Sequence, residues 1–181
     1  RDPPSCDDAR AGTRLPCSGT SLHRSAITAA VRAVRATNST GRRAFQIAGA
    51  LEAALELSLE HTSTRVQFGK PLSKNQAVQH ELAKLAGELA CATAAAALAQ
   101  EALDRGDLLG VAAGTLRARE AAGAGASIAT QAHGAIGFTR EHQLHLYTTA
   151  LWTWRDEFGG QVYWAKQLGQ AALASGPDGY W

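Results

Sequence analysis

The chain has 181 residues, 45% of them hydrophobic and 19% charged, with a formal net charge of +2. That length supports one sizeable domain with its own core. The near-neutral balance excludes a protein held to nucleic acid by charge, since residues 1–72 carry ten Lys or Arg against six acids and residues 73–181 carry eight against ten.

Residues 1–22 contain three prolines and two glycines with little apolar content, and read as a tail or linker. Residues 23–36 suit a short helix with Ile27, Val31 and Val34 on one side, interrupted by Asn38, Ser39, Thr40 and Gly41. From Arg42 to about Thr62, Ile47, Leu51, Leu55 and Leu59 recur every fourth residue beside Glu52, Glu56 and Glu60, an amphipathic helix. Arg65 to Leu72 is a turn. The longest helical pattern follows: Val78, Leu82, Leu85, Leu89, Ala92, Ala96, Ala99 and Leu103 keep one apolar stripe over about eight turns. Ser73, with Gln76 three residues on, fits a capping box at its start. About 30 helical residues span ~45 Å, so long helices lie side by side. Asp107 is placed to cap a third helix over 108–132, in which Gly110, Gly114, Ala118 and Ala122 allow close backbone approach. Gly134 and Gly137 break that helix. A short helix or turn spans 141–149, and a last helical stretch, 150–174, is interrupted at Glu157–Gly160. No alternating strand run occurs. The reading is an all-α, up-and-down four-helix bundle over 23–174, with 175–181 as a second tail.

Cys91 reads as a small buried thiol inside the long helix, and Cys6 and Cys17 give no firm sign of an oxidising compartment. Neither a secretory leader nor an uninterrupted apolar run of membrane-spanning length is read, so a cytoplasmic protein with no membrane partner is expected. His142 and His145 stand three apart, too few ligands for a structural zinc site, so no metal is expected. Trp152, Trp154 and Trp164 are read as core or interface residues.

Three blocks occur in order along the chain: Arg65, Phe68, Gly69, Pro71 and Gln76; then Gln131-Ala-His-Gly-Ala-Ile-Gly-Phe138; then Glu157-Phe-Gly-Gly-Gln161. In this order and spacing, residues 42–173 resemble the C-terminal helical domain of acyl-CoA dehydrogenases. The resemblance implies a helical bundle that also makes most subunit contacts. It places Arg65 at the pyrophosphate of FAD bound by a neighbouring subunit, Phe68 and Gln76 nearby, and Gln131, Gly134 and Ala135 along the adenine and pyrophosphate end. It makes Glu157 the candidate base for removing the α-proton of an acyl-CoA thioester during α,β-dehydrogenation. Two departures stand out: Ala135 replaces a glycine of the second block, and Phe158 replaces a glycine of the third. The flavin-covering β-domain of the family has no counterpart in the roughly 40 residues ahead of the resemblance. Weak or absent FAD binding by the isolated chain follows. The chain then reads as an FAD-dependent acyl-CoA dehydrogenase or its C-terminal portion, a homo-oligomer, or one subunit of a hetero-oligomer whose partner supplies the missing domains. The alternative is a non-catalytic assembly or scaffold subunit of a heteromeric acyl-CoA dehydrogenase.

Overall fold

The computed structural model describes the backbone of residues 19–176, and side chains from Gly41 onward together with Ser39. Cys6, Cys17 and Trp181, most of the expected tail over 1–22, and the side chains of Ile27, Val31 and Val34 lie outside the described residues. The described residues divide into two units between Val34 and Arg35. The first holds the opening turns of α1 (Gly19–Thr64). The second holds everything described below.

Helix α1 is assigned without a break at Asn38–Gly41, because helix propensity is a weak local preference that a continuous helix overrides. Ala44, Ile47, Leu51 and Ala54 are completely buried, whereas Leu59 is 49% exposed. Four-residue steps each advance about 40° around a 3.6-residue helix, so the Ile47–Leu59 column rotates off the core. Ser58 and Thr62 occupy the buried face instead, their hydroxyls donating to the carbonyls of Ala54 (2.7 Å) and Ser58 (2.8 Å).

The turn after α1 is a minimal hairpin. Strands β1 (Val66–Gln67) and β2 (Lys70–Pro71) pair antiparallel, Val66 with Pro71 and Gln67 with Lys70. Phe68 and Gly69 form its tip, at φ 51° and 78°, the positive pair that a two-residue hairpin turn requires. Leu72–Lys74 then makes one 3-10 turn, and Asn75 rather than Ser73 caps α2 (Gln76–Asp104), its side-chain oxygen accepting from the Ala77 amide at 3.0 Å. Asn and Ser are equivalent caps; the extra tight turn moves the start two residues on.

On α2 the expected stripe faces inward, with Leu82, Leu85, Ala92, Ala96 and Ala99 buried and Val78, Leu89 and Leu103 half-buried. Among the described residues this is the one helix long and apolar enough to cross a membrane, but its buried stripe joins the shared core. Cys91 lies off that stripe and is exposed, correcting its expected burial. Asp107 caps α3 (Leu108–His133) by accepting from the amides of Leu109 and Gly110, both at 3.0 Å.

Helix α3 runs through the centre of the bundle. A Cβ added at Gly114 would stand 2.5 Å from the Ala95 carbonyl oxygen and 2.9 Å from the Ala99 amide, so α2 and α3 meet nearly backbone to backbone. Ala118, Ala121, Ala122, Ala126 and Ala129 continue that face into the core. After a 3-10 turn over Gly134–Phe138 comes α4 (Leu144–Asp156), one helix where the sequence suggested a join near Ala150. Leu144 and Leu151 anchor it, completely buried. A short turn, Glu157–Gly159, leads into α5 (Gly160–Ser175). The outcome is an all-α, up-and-down four-helix bundle, as expected.

Gly114→Ala is therefore expected to lower unfolding free energy by about 1–3 kcal/mol, since the new methyl must push two backbones apart. The exposed Gly87, whose added Cβ would meet nothing within 4 Å, makes the control. Gly87→Ala should stabilise by roughly 0.5–1 kcal/mol. Chemical denaturation of both variants checks the pair.

Candidate functional site

Between the end of α1, the hairpin and the end of α3 lies a cavity of about 530 Å³. Arg65, Gln131, Gly134 and Ala135 line it, together with His61 and His133. Four of the six residues expected to bind cofactor are thus gathered there from segments some 70 residues apart. Phe68 and Gln76 are not among its walls. Phe68 stands at the hairpin tip, 99% exposed, and Gln76 is exposed at the first turn of α2.

The backbone explains which glycine the turn requires. Gly134 adopts φ 65° and ψ −140°, a conformation open only to glycine without strain. Ala135 has no positive φ, so its methyl is tolerated where the resemblance leads one to expect a glycine. Gly137 is buried because a Cβ there would press on His133 and the Thr130 carbonyl at 3.0 Å. Arg65, whose guanidinium meets no carboxylate among the described residues, and Gln131 both line the cavity. Such a set suits an anionic, phosphate-like group.

Three imidazoles cluster beside this cavity, of which His61 and His133 line it. The His61 and His133 rings stack with centroids 4.5 Å apart, and His142 lies edge-on at 4.7 Å from His133 and 6.0 Å from His61. Burial, and then the neighbouring His142 and Arg65, push the His61 pKa down; burial also lowers that of His133, with His61 and His142 adding to the effect. The sequence singled out His142 and His145, but the structure turns His145 elsewhere, its Nδ1 2.7 Å from the His142 carbonyl oxygen. His61, far away in sequence, was not singled out at all.

Glu157 lies outside the cavity wall. Its Oε2 accepts from both Nε and Nη2 of Arg43, each at 2.7 Å. Arg43 also donates to Gln46 at 2.6 Å, and its guanidinium lies over Trp154 (5.2 Å) and Phe158 (5.9 Å). One oxygen of Glu157 is therefore committed to a cation that is itself held on an aromatic face. Arg43 is the residue that sequence reasoning missed here, because nothing local signals a partner 114 positions away. Phe158 sits at φ 53° and ψ 39°, a left-handed geometry that favours glycine, the residue the resemblance leads one to expect here. Trp164 braces this turn by donating to the Phe158 carbonyl at 3.0 Å, while Trp152 is exposed.

The sequence pattern of the acyl-CoA dehydrogenase C-terminal domain matches residues 32–153, well over half of the chain. The chain belongs to the acyl-CoA dehydrogenase family. Acyl-CoA dehydrogenase IpdE2 of Mycobacterium tuberculosis is 38% identical over 99 residues, covering 55% of this chain and 30% of that protein. The structure resembles that of glutaryl-coenzyme A dehydrogenase with a TM-score of 0.72 at 25% identity, covering 81% of this chain and 38% of that one. It also resembles a chain of the ChsE4–ChsE5 complex of Mycobacterium tuberculosis, with a TM-score of 0.65 at 30% identity, covering 78% and 39%. The chain thus spans less than half the length of these relatives. The family match stops at residue 153, short of Glu157.

The strain at Phe158 is measurable. A non-glycine residue in this region costs roughly 1–2 kcal/mol. Phe158→Gly and Phe158→Ala both lose the ring, but only the first loses the strain. Phe158→Gly is expected to be more stable than Phe158→Ala by about 1 kcal/mol. Equal stabilities would mean the turn does not hold that geometry.

Proposed function

We propose that this domain is a non-catalytic assembly subunit of a heteromeric acyl-CoA dehydrogenase. The observation that carries the reading is the Arg43–Glu157 ion pair. A general base must offer a free lone pair to the proton it removes, and here the carboxylate spends its charge on fixing α1 to the turn before α5. On this reading Glu157 is structural, and the base for α,β-dehydrogenation comes from a partner subunit.

The cavity has a separate role in the proposal. Members of the family use FAD, which when bound accepts the hydride released from the acyl β-carbon. Arg65, Gln131 and the turn at Gly134–Ala135 would hold the anionic end of FAD bound mainly by a neighbour. Arg65 matches phosphate oxygens by its fork of donors, and Gly134 leaves room for close approach. Phe68 and Gln76, exposed at the hairpin and the start of α2, would meet the neighbour's cofactor from outside the cavity. FAD binding by the chain alone should then be weak. The acyl-CoA substrate and a cytoplasmic location remain part of the same proposal. So does oligomerisation, as homo- or hetero-oligomer: α5 has no buried residue, and Val162, Tyr163 and Leu173 on it are 84%, 52% and 86% exposed.

A second reading keeps Glu157 as the base. It is favoured by the unengaged Oε1 and by the partial burial of the side chain, 31% exposed. The two readings part on one variant of the holo-complex. Glu157→Gln is expected to leave dehydrogenase turnover unchanged under the assembly reading. Loss of a general base would instead lower it by ~10²–10⁴. Steady-state turnover, with flavin content recorded by absorbance, decides between them.

A further inference from the structure

The three clustered imidazoles come from three separate elements: the last turn of α1, the last residue of α3, and the turn before α4. One ring nitrogen from each lies within 4.8 Å of the other two. Such convergence of the commonest metal-ligating side chain is not required by helix packing, because any apolar side chain would fill the same space.

The hydrogen bonding fixes which nitrogens are free. His133 Nδ1 stands 2.8 Å from the Ala129 carbonyl oxygen. A carbonyl only accepts, so Nδ1 carries the proton and Nε2 carries the lone pair. That Nε2 is buried and has no partner within hydrogen-bond distance, although the Leu57 backbone also lies toward the ring and favours its protonated form. An imidazole that donates one N–H to a backbone carbonyl and presents the other nitrogen is the arrangement found at metal-ligating histidines. His61 makes no hydrogen bond with its ring among the described residues. His142 Nδ1 accepts from the Leu144 amide at 3.1 Å. His142 must therefore turn about its Cβ–Cγ bond to ligate, and the amide of the buried Leu144 then loses this partner, a cost that metal binding must exceed.

We propose that His61, His133 and His142 form a mononuclear site for a transition-metal dication such as Zn²⁺ or Co²⁺, with a fourth position open to the cavity. Three neutral imidazoles suit zinc, copper and nickel, whereas calcium and magnesium need oxygen ligands that the cluster lacks. Nitrogens held 2.0–2.1 Å from a tetrahedral ion stand roughly 3.4 Å apart, so the rings draw together by up to about 1.4 Å from their present spacing. His61 and His142 are half-buried, whereas His133 is buried and held by its Ala129 hydrogen bond, so the first two would make the adjustment. The three neutral ligands leave the ion with its full positive charge. The open position therefore takes an anionic oxygen or hydroxide, on the same wall as Arg65. The site is independent of whether Glu157 acts as a base.

The test uses the full chain and the metal alone. Zn²⁺ titration by calorimetry should give one-to-one binding, and Co²⁺ should produce the visible absorption of a tetrahedral nitrogen-ligated ion. His61→Ala and His142→Ala, each checked for unchanged helicity by circular dichroism, should weaken Zn²⁺ binding by more than the ~10–100-fold that loss of an outer-shell partner costs. His80→Ala, an exposed histidine on α2, should bind as the parent does. His61→Gln provides a shape-preserving variant if the alanine change alters helicity. Absence of saturable one-to-one binding, weakening of no more than ~100-fold in the folded His61 and His142 variants, or equal loss in His80→Ala would overturn the proposal.

Discussion

The near-contact of α2 and α3 is the constraint on which the rest of this domain depends. Alanine and glycine bury little area per residue, so a core built from them gains cohesion only if the backbones come close. Gly114 against Ala95 and Ala99 makes that approach possible at one end of α3, and Gly125, against the Leu51 side chain, does the same toward α1. With α3 held on both sides, its last residue, His133, and the glycine turn after it are delivered to one fixed place. The cavity inherits its position from that packing. Opposite, Arg65, exposed just ahead of the hairpin, and Gln67 complete the wall.

Electrostatics organise the other end of the bundle. Arg119 is fully buried on α3, and its Nη1 donates to the Arg155 carbonyl at the C-terminal end of α4 at 3.1 Å. A guanidinium there meets the negative end of the helix dipole. Its Nε and Nη2 have no partner and burial pulls its pKa down, while Asp156 and Glu157 oppose that shift. Each of those acids also has its own arginine, Asp156 with Arg155 and Glu157 with Arg43. Three cations therefore surround the turn where the family resemblance places a proton acceptor. The turn is built to be held, with an aromatic ring in a glycine's conformation at its centre.

Local features of the fold were legible in the sequence, and distant ones were not. Asp107 as a cap, the Val78–Leu103 stripe and the breaks at Gly134 and Glu157–Gly160 follow from spacing and side-chain chemistry within a few residues. The cap of α2 shifted to Asn75 because an unforeseen 3-10 turn intervened, and Leu59 left the core because a four-residue repeat drifts around a helix. Resemblance brought Arg65, Gln131, Gly134 and Ala135 to attention, and the fold does gather them. Periodicity could not reveal that Arg43 reaches Glu157, or that His61 joins His133 and His142. Those meetings are set by how helices stack, and each partner taken alone is an ordinary surface residue of an amphipathic helix or turn.

Glu157 belongs, on the assembly reading, to the architecture of the domain. A double-mutant cycle on folding stability with Arg43→Ala, Glu157→Gln and the double variant tests it most directly. A half-buried pair with two short contacts to one oxygen, stacked on Trp154, should show a coupling of about 1 kcal/mol. A coupling indistinguishable from zero would mean that Arg43 does not hold the carboxylate, leaving Glu157 free for the base role and contradicting the assembly reading.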